Sequence, residues 1–240
     1  MNRLAKMLLG NFWKLPGAYR KLCFYAKHTD EYAEQEKYDY IRSLFQLAMN
    51  KSNVTLEHTG AENIPEENGF MVYANHQGLF DVIALTVTCP NPLACIFKYE
   101  LRNTPVLKQI IACTKSFAMD REDVRQSLTV IRGVSEEVKK GRNYLIFPEG
   151  TRSKKGNTMV DFHSGSFKAA LKAKCPILPV AFVDSFKALD QKGCAPITVG
   201  IHYLPVIPYE DYKDMNTVEL AAYVKEKIQQ SIDAHKGKML

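Results

Sequence analysis

The chain has 240 residues, 46% apolar and 24% charged, a composition that excludes wholesale disorder and suits a globular body able to bury about 70–75% of its unfolded surface. Lys and Arg number 32 against 26 Asp and Glu, and the whole excess of +6 falls within positions 1–28, where Arg3, Lys6, Lys14, Arg20, Lys21 and Lys27 meet no acidic residue. The rest of the chain is balanced, which argues against a nucleic-acid binder, whose basic stripe belongs on the folded body.

In chain order, the first segment reads as a helix. At roughly 100° per residue, Leu4, Leu8, Phe12 and Leu15 share one face, with Arg3, Lys6 and Lys14 opposite and Trp13 at the border. Pro16-Gly17 is expected to bend or break it. A second helix is expected from about Tyr32 to Met49, with Tyr38, Ile41, Leu44, Phe45 and Ala48 as its apolar stripe. The pair fits a membrane interface, where each basic residue near an anionic surface contributes up to ~1 kcal/mol. It also fits a hairpin packed on the body with its charges solvated.

After a short strand at Val54–Glu57 and a turn from Gly60 to Pro65, apolar strand-like runs alternate with helical patterns. The runs are Phe70–Ala74, Leu93–Phe97, Ser116–Met119, Tyr144–Phe147, Ile177–Val183 and Thr198–Tyr203. The helices expected between and after them are Val82–Thr88, Leu101–Cys113, Val124–Lys140, Phe167–Ala173 and Val218–Ala234. This alternation predicts an α/β fold with a largely parallel central sheet flanked by helices. Residues 1–52 form an N-terminal amphipathic two-helix element and residues 53–240 the α/β domain. The longest uncharged stretch, Val82–Phe97, is interrupted by Cys89-Pro90-Asn91-Pro92 and falls short of the ~20 apolar residues of a helical span. The N-terminus lacks the run and cleavage site of a signal peptide. The expected location is the cytosol or the cytoplasmic face of a membrane, as a peripheral protein. The six cysteines form no C-x-x-C pair and no Cys/His cluster with zinc spacing, so reduced thiols and no metal are expected.

Four expected strands end in polar bursts: Asn75-His76, Lys98-Tyr99-Glu100, Asp120-Arg121 and Pro148-Glu149-Gly150-Thr151-Arg152. Ligands of open α/β sheets bind outside the carboxyl ends of the strands, so parallel neighbours would bring all four to one rim. In Asn75-His76-Gln77-Gly78-Leu79-Phe80-Asp81, Gly78 allows a tight turn, and Asp81 can accept the Nδ1 proton of His76 and leave Nε2 as a base. The plainer reading makes Asp81 the cap of a helix starting at Val82. The 147–153 loop presents a hydroxyl, a carboxylate and a guanidinium, and Arg152 suits a phosphate; the alternative is a local Glu149–Arg152 ion pair. Arg121 either joins Arg152 on a phosphate, with Lys98 as a third positive charge, or pairs with Asp120 or Glu122. There is no G-x-G-x-x-G, no Walker loop and no H-E-x-x-H, and Ser164-Gly165-Ser166 is not a nucleophile elbow. His28, His58, His163, His202 and His235 have no evident partners.

Four blocks in order, NHQGLFD at 75–81, KYEL with FAMDR at 98–101 and 117–121, FPEGTRS at 147–153 and ILPVA at 177–181, resemble the glycerolipid acyltransferase family. The resemblance implies transfer of a fatty acyl group from an acyl thioester, carried by acyl carrier protein or coenzyme A, to the sn-2 hydroxyl of lysophosphatidic acid. It implies His76 as catalytic base and Asp81 as its partner, with Arg121 and the loop of Glu149, Gly150, Thr151 and Arg152 at the substrate; Lys98 is expected beside them as a further positive charge. No cofactor and no metal are implied, because the thioester is already activated. The implied partners are the two substrates and an anionic membrane surface. Glycerol-3-phosphate or another lysophospholipid is the alternative acceptor, and a non-catalytic lipid-surface protein is the alternative of a different class.

Overall fold

The computed structural model describes residues 3–237. Its strands are β1 (Val54–Thr59), β2 (Met71–Ala74), β3 (Leu93–Lys98), β4 (Phe117–Met119), β5 (Asn143–Ile146), β6 (Ile177–Val183) and β7 (Ile197–Tyr203). They form one sheet in the order β1–β7–β6–β2–β5–β3–β4. Every neighbouring pair is parallel except β6 with β7.

Strands β2 and β6, in the middle of the sheet, are apolar and buried at every position because both faces are covered. Successive side chains point to opposite faces. Met71 and Tyr73 enter the core under Val134, Val138, Val224 and Ile228, from α6 (Val124–Lys139) and α9 (Thr217–His235). Val72 and Ala74 enter the core under Phe80, Ala84 and Leu85, from α4 (Phe80–Thr88). α7 (Lys168–Ala173) joins the first face through Ala169 and Ala170, and α8 (Phe186–Leu189) the second through Ala188. Local chemistry fixes the helix starts. Asp123 accepts from the N–H groups of Arg125 and Gln126, and Asn216 with Glu219 forms a capping box for α9.

The N-terminal helices are α1 (Arg3–Leu9), α2 (Leu15–Lys27) and α3 (Glu34–Met49). α3 packs on the body: Tyr38 is buried against α4, with its hydroxyl 3.2 Å from Cys89 O. Ile41 joins Leu22 and Tyr25 of α2, and Ile110 and Cys113 of α5 (Leu107–Cys113), in a third cluster. By contrast, Leu4, Leu8, Leu9, Phe12 and Trp13 all lie exposed, Trp13 at 92%.

Three expectations change. Pro16-Gly17 does not end a helix; the break lies earlier, at a single 3-10 turn (Phe12–Lys14), and Pro16 sits in the first turn of α2, where its missing N–H costs nothing. Leu101–Cys113 is a 3-10 turn (Tyr99–Asn103) followed by α5, because Pro105 disfavours helix at the residue before it. Arg3 is not displayed with the other N-terminal charges. It is buried, and its guanidinium donates to the carbonyls of Ser52 (2.9 Å), Lys187 (3.2 Å), Ala188 (3.0 Å) and Ala195. Among the described residues, no helix is long and apolar enough to cross a membrane.

Candidate active site

The parallel run β2–β5–β3–β4 carries the four polar bursts to one rim, as the alternation of elements predicts. Just beyond β2, Asn75 prolongs the ladder with its side chain. Its amide donates to Phe182 O (3.0 Å) and accepts from Phe182 N (2.7 Å). This ties the residue before His76 to Phe182, near the end of β6.

Asp81 is fully buried in the first turn of α4. Its Oδ2 accepts from His76 Nδ1 at 2.7 Å, Gln77 N at 2.7 Å and Gly78 N at 3.0 Å, and its Oδ1 accepts from the Ser185 hydroxyl. A carboxylate only accepts, so Nδ1 carries the hydrogen and Nε2 keeps the lone pair. Asp81 therefore does not cap a helix beginning at Val82. The helix already starts at Phe80, and the carboxylate gathers donors from the turn before it. The His76 ring is held from a second side by Phe147, stacked at 4.0 Å between centroids and 18° between planes. Gly78 does not serve through a left-handed backbone; a Cβ there would collide with Asp190 Oδ2 and press on Phe186.

Glu149 turns inward. It is buried, its Oε1 accepts His76 N at 2.7 Å and its Oε2 accepts Val160 N at 2.8 Å. Burial pushes its carboxyl above the ordinary value, and those two N–H bonds oppose the shift. It thus shapes the loop behind His76, and both the expected substrate contact and the alternative Glu149–Arg152 pair are corrected. The reason is that a buried turn with unpaired N–H groups needs an acceptor more than the surface needs a charge. Gly150 is required twice over: its φ is +66°, and a Cβ would lie 2.9 Å from His163 Cδ2. Thr151 is exposed on the same loop.

Two cavities flank this loop. The larger, of about 450 Å³, has an apolar wall including Ile96, Met119, Val124, Leu128 and Ile131, runs past Phe147 and Pro148, and carries Arg121, His163 and Lys168 among its polar lining. The smaller, of about 430 Å³, is lined by Gln77, Arg152, Lys154 and Asp190 among others. The structure therefore does not put Arg121 and Arg152 on one cavity. Arg152 pairs with Asp190 instead. Lys98 pairs with Glu100 at 2.7 Å. That hydrogen bond, and then the charges of Lys98 and Arg121, hold the Glu100 carboxyl below its usual value.

Residues that sequence reasoning passed over are Ser185, Asp190, Gln77 and His163. Gln77 donates to Phe182 O (2.9 Å) and Asn157 Oδ1 (2.8 Å) and accepts from Ser185 N (2.8 Å). A fifth polar burst, Asp184-Ser185 after β6, was the available signal for Ser185. Asp190 stands 111 positions from Leu79, whose N–H it accepts, and no local pattern marks it.

Comparison with known proteins agrees with this architecture. Residues 55–183 match the family model described as Acyltransferase. A 1-acyl-sn-glycerol-3-phosphate acyltransferase of Borreliella burgdorferi is 25% identical over 198 residues, 82% of this chain and 79% of that protein. One from Escherichia coli is 30% identical over 169 residues, 70% of this chain and 69% of that protein. The crystal structure of the 1-acyl-sn-glycerophosphate acyltransferase PlsC from Thermotoga maritima superposes with a TM-score of 0.75 at 22% identity, covering 98% of each chain. From the strand-end motifs, the sheet that gathers them and the match over more than half its length, the chain belongs to the acyltransferase family.

Proposed function

We propose that the protein transfers a fatty acyl group from a thioester of coenzyme A or acyl carrier protein to the sn-2 hydroxyl of lysophosphatidic acid, giving phosphatidic acid. The observation that carries this reading is His76, hydrogen-bonded to Asp81 at 2.7 Å with its ring stacked on Phe147, a residue that itself lines a cavity with an apolar wall and a cationic residue, Arg121. Such a cavity matches an amphiphile with a phosphate and one acyl chain. The names of the curated relatives point to the same acceptor.

The chemistry balances on one imidazole. The acceptor oxygen attacks the thioester carbonyl carbon as its proton passes to His76 Nε2. Asp81 stabilises the imidazolium through Nδ1–H, in the manner of the serine-protease triad, but with the substrate as nucleophile. The tetrahedral intermediate then expels the thiolate, which takes the proton back from Nε2. General-base help of this kind contributes about 10²–10⁴ in rate. In this reading Arg121 holds anionic substrate at the larger cavity, Arg152 supplies a second anion-binding group, Lys98 adds positive potential, and Gly150 and Thr151 keep the loop open beside them. Glu149 acts as a positioning residue.

Residues 1–52 serve as the membrane-association element and 53–240 as the catalytic domain. The exposed apolar set Leu4, Leu8, Leu9, Phe12 and Trp13, flanked by Lys6 and Lys14, supports contact with an anionic bilayer at the cytoplasmic face. The test is incubation of the purified protein with lysophosphatidic acid and each acyl donor, followed by mass analysis of the lipid. Phosphatidic acid is expected, and His76→Ala should abolish it with vesicle binding intact. No product with either donor, or undiminished turnover by the variant, overturns the reading.

A further inference from the structure

Arg152, the guanidinium best suited to phosphate on the 147–153 loop, is already occupied: Asp190 Oδ1 pairs with it. The other oxygen of the same carboxylate, Oδ2, accepts the N–H of Leu79 at 3.1 Å. Leu79 lies inside the turn that joins His76 to Asp81. One carboxylate thus bridges an anion-binding group and the turn that carries the catalytic pair. Gly78 makes the bridge possible, since any Cβ there would collide with Asp190 Oδ2. The bridge stands at the cavity lined by Arg152, Lys154 and Gln77. Two cations there face a single anion. The pair is partly open, with Arg152 at 37% and Asp190 at 27% side-chain exposure. Half-exposed ion pairs contribute little, whereas a phosphate offers Arg a bidentate, more highly charged partner.

We infer that Asp190 is an internal stand-in for substrate phosphate: it occupies Arg152 in the free protein, and a phosphate ester displaces it there, leaving Asp190 bonded to Leu79. The identity of the phosphate rests on the acyl-transfer reading above. Both the acceptor headgroup and the phosphopantetheine arm of the donor present this chemistry. Asp190 is then a positioning residue that sets how readily Arg152 accepts an anion and steadies the turn once it does.

Two measurements test this, one independent of catalysis. Thermal denaturation of the full chain with increasing inorganic phosphate gives an apparent Kd. Asp190→Asn keeps an acceptor for Leu79 and removes the competing charge, so phosphate should bind roughly two- to fivefold more tightly, the range expected from losing a weak ion pair. Gly78→Ala, which displaces the carboxylate while retaining it, should tighten binding likewise, and Arg152→Ala should weaken it about tenfold. In kinetics, Asp190→Asn should lower the KM of the substrate whose phosphate uses Arg152 by the same two- to fivefold. Measuring acceptor and donor separately identifies that substrate. Asp190→Ala, which also strips the acceptor from Leu79, should lower kcat as well. Phosphate binding by Asp190→Asn no tighter than by the parent, or a fall in neither KM, overturns the inference. Absence of acyl transfer from the parent protein would refute the functional reading alone, because the phosphate titration still decides the role of Asp190.

Discussion

Replacing Asp81 by Asn isolates the electrostatic part of the site. Oδ2 serves three donors and Oδ1 one hydroxyl. An asparagine with its carbonyl at the Oδ2 position keeps all three donors satisfied, and its amide nitrogen meets the Ser185 hydroxyl, which can turn to accept. The local fold and the Nδ1–H tautomer therefore survive, and only the negative charge is lost. With about 4 Å between charge centres and an effective dielectric constant near 20, a carboxylate stabilises an imidazolium by ~4 kcal/mol. The amide dipole recovers part of this, leaving a loss of ~3–4 kcal/mol in the transition state, or ~10²–10³-fold in kcat. Asp81→Ala is a poorer probe, because it strands buried N–H groups at about 1–3 kcal/mol each. The assay is steady-state phosphatidic acid formation at saturating lysophosphatidic acid and donor, with circular dichroism to establish the fold. A folded Asp81→Asn protein within threefold of the parent kcat would refute the claim that this carboxylate carries the imidazolium.

Three further outcomes follow from the structure. Gly150→Ala forces a side chain into a left-handed backbone and against His163, so it should destabilise the fold by about 1–2 kcal/mol and raise the acceptor KM, read by thermal melting and initial rates; an unchanged melt would contradict the strain. Replacing Leu9, Phe12 and Trp13 together by Ser should cut binding to anionic vesicles at least tenfold, because each loses exposed apolar area that a bilayer would bury; co-sedimentation at the parent level would place the contact elsewhere. His202 is buried against Thr59, 2.8 Å away, and stacked on His235 at 3.7 Å, and burial followed by the His235 charge pulls its pKa from 6.5 to about 4. Between those values the unfolded chain binds the proton and the folded chain does not. Stability present above pH 6.5 should therefore be lost by up to about 3 kcal/mol as pH falls toward 4. His202→Gln should flatten that slope in urea unfolding curves.

Much of the architecture was legible because its determinants are local. Runs such as Ile177–Val183, apolar at every position, announce strands covered on both faces, and the polar residues that stop them mark the ends. The His76–Asp81 spacing was legible for the same reason, since five residues suffice to close the turn. What the sequence withheld depends on distant partners. Glu149 looks like a surface acid beside Arg152 until Val160 and the His76 backbone claim it. Arg3 fits a helical charge stripe, yet carbonyls from Ser52 to Ala195 draw it into the interior. Asp190 carries no motif at all, and only the return of the chain after β6 brings it to Leu79.

The burial of Arg3 has a mechanical corollary. The first helix is not a loose tether. Its guanidinium is bolted to the carbonyls of Lys187 and Ala188, three and two positions before Asp190. If the proposed bilayer contact through Phe12 and Trp13 holds, the helix just before them is pinned to the same short stretch of chain whose carboxylate bridges Arg152 and Leu79.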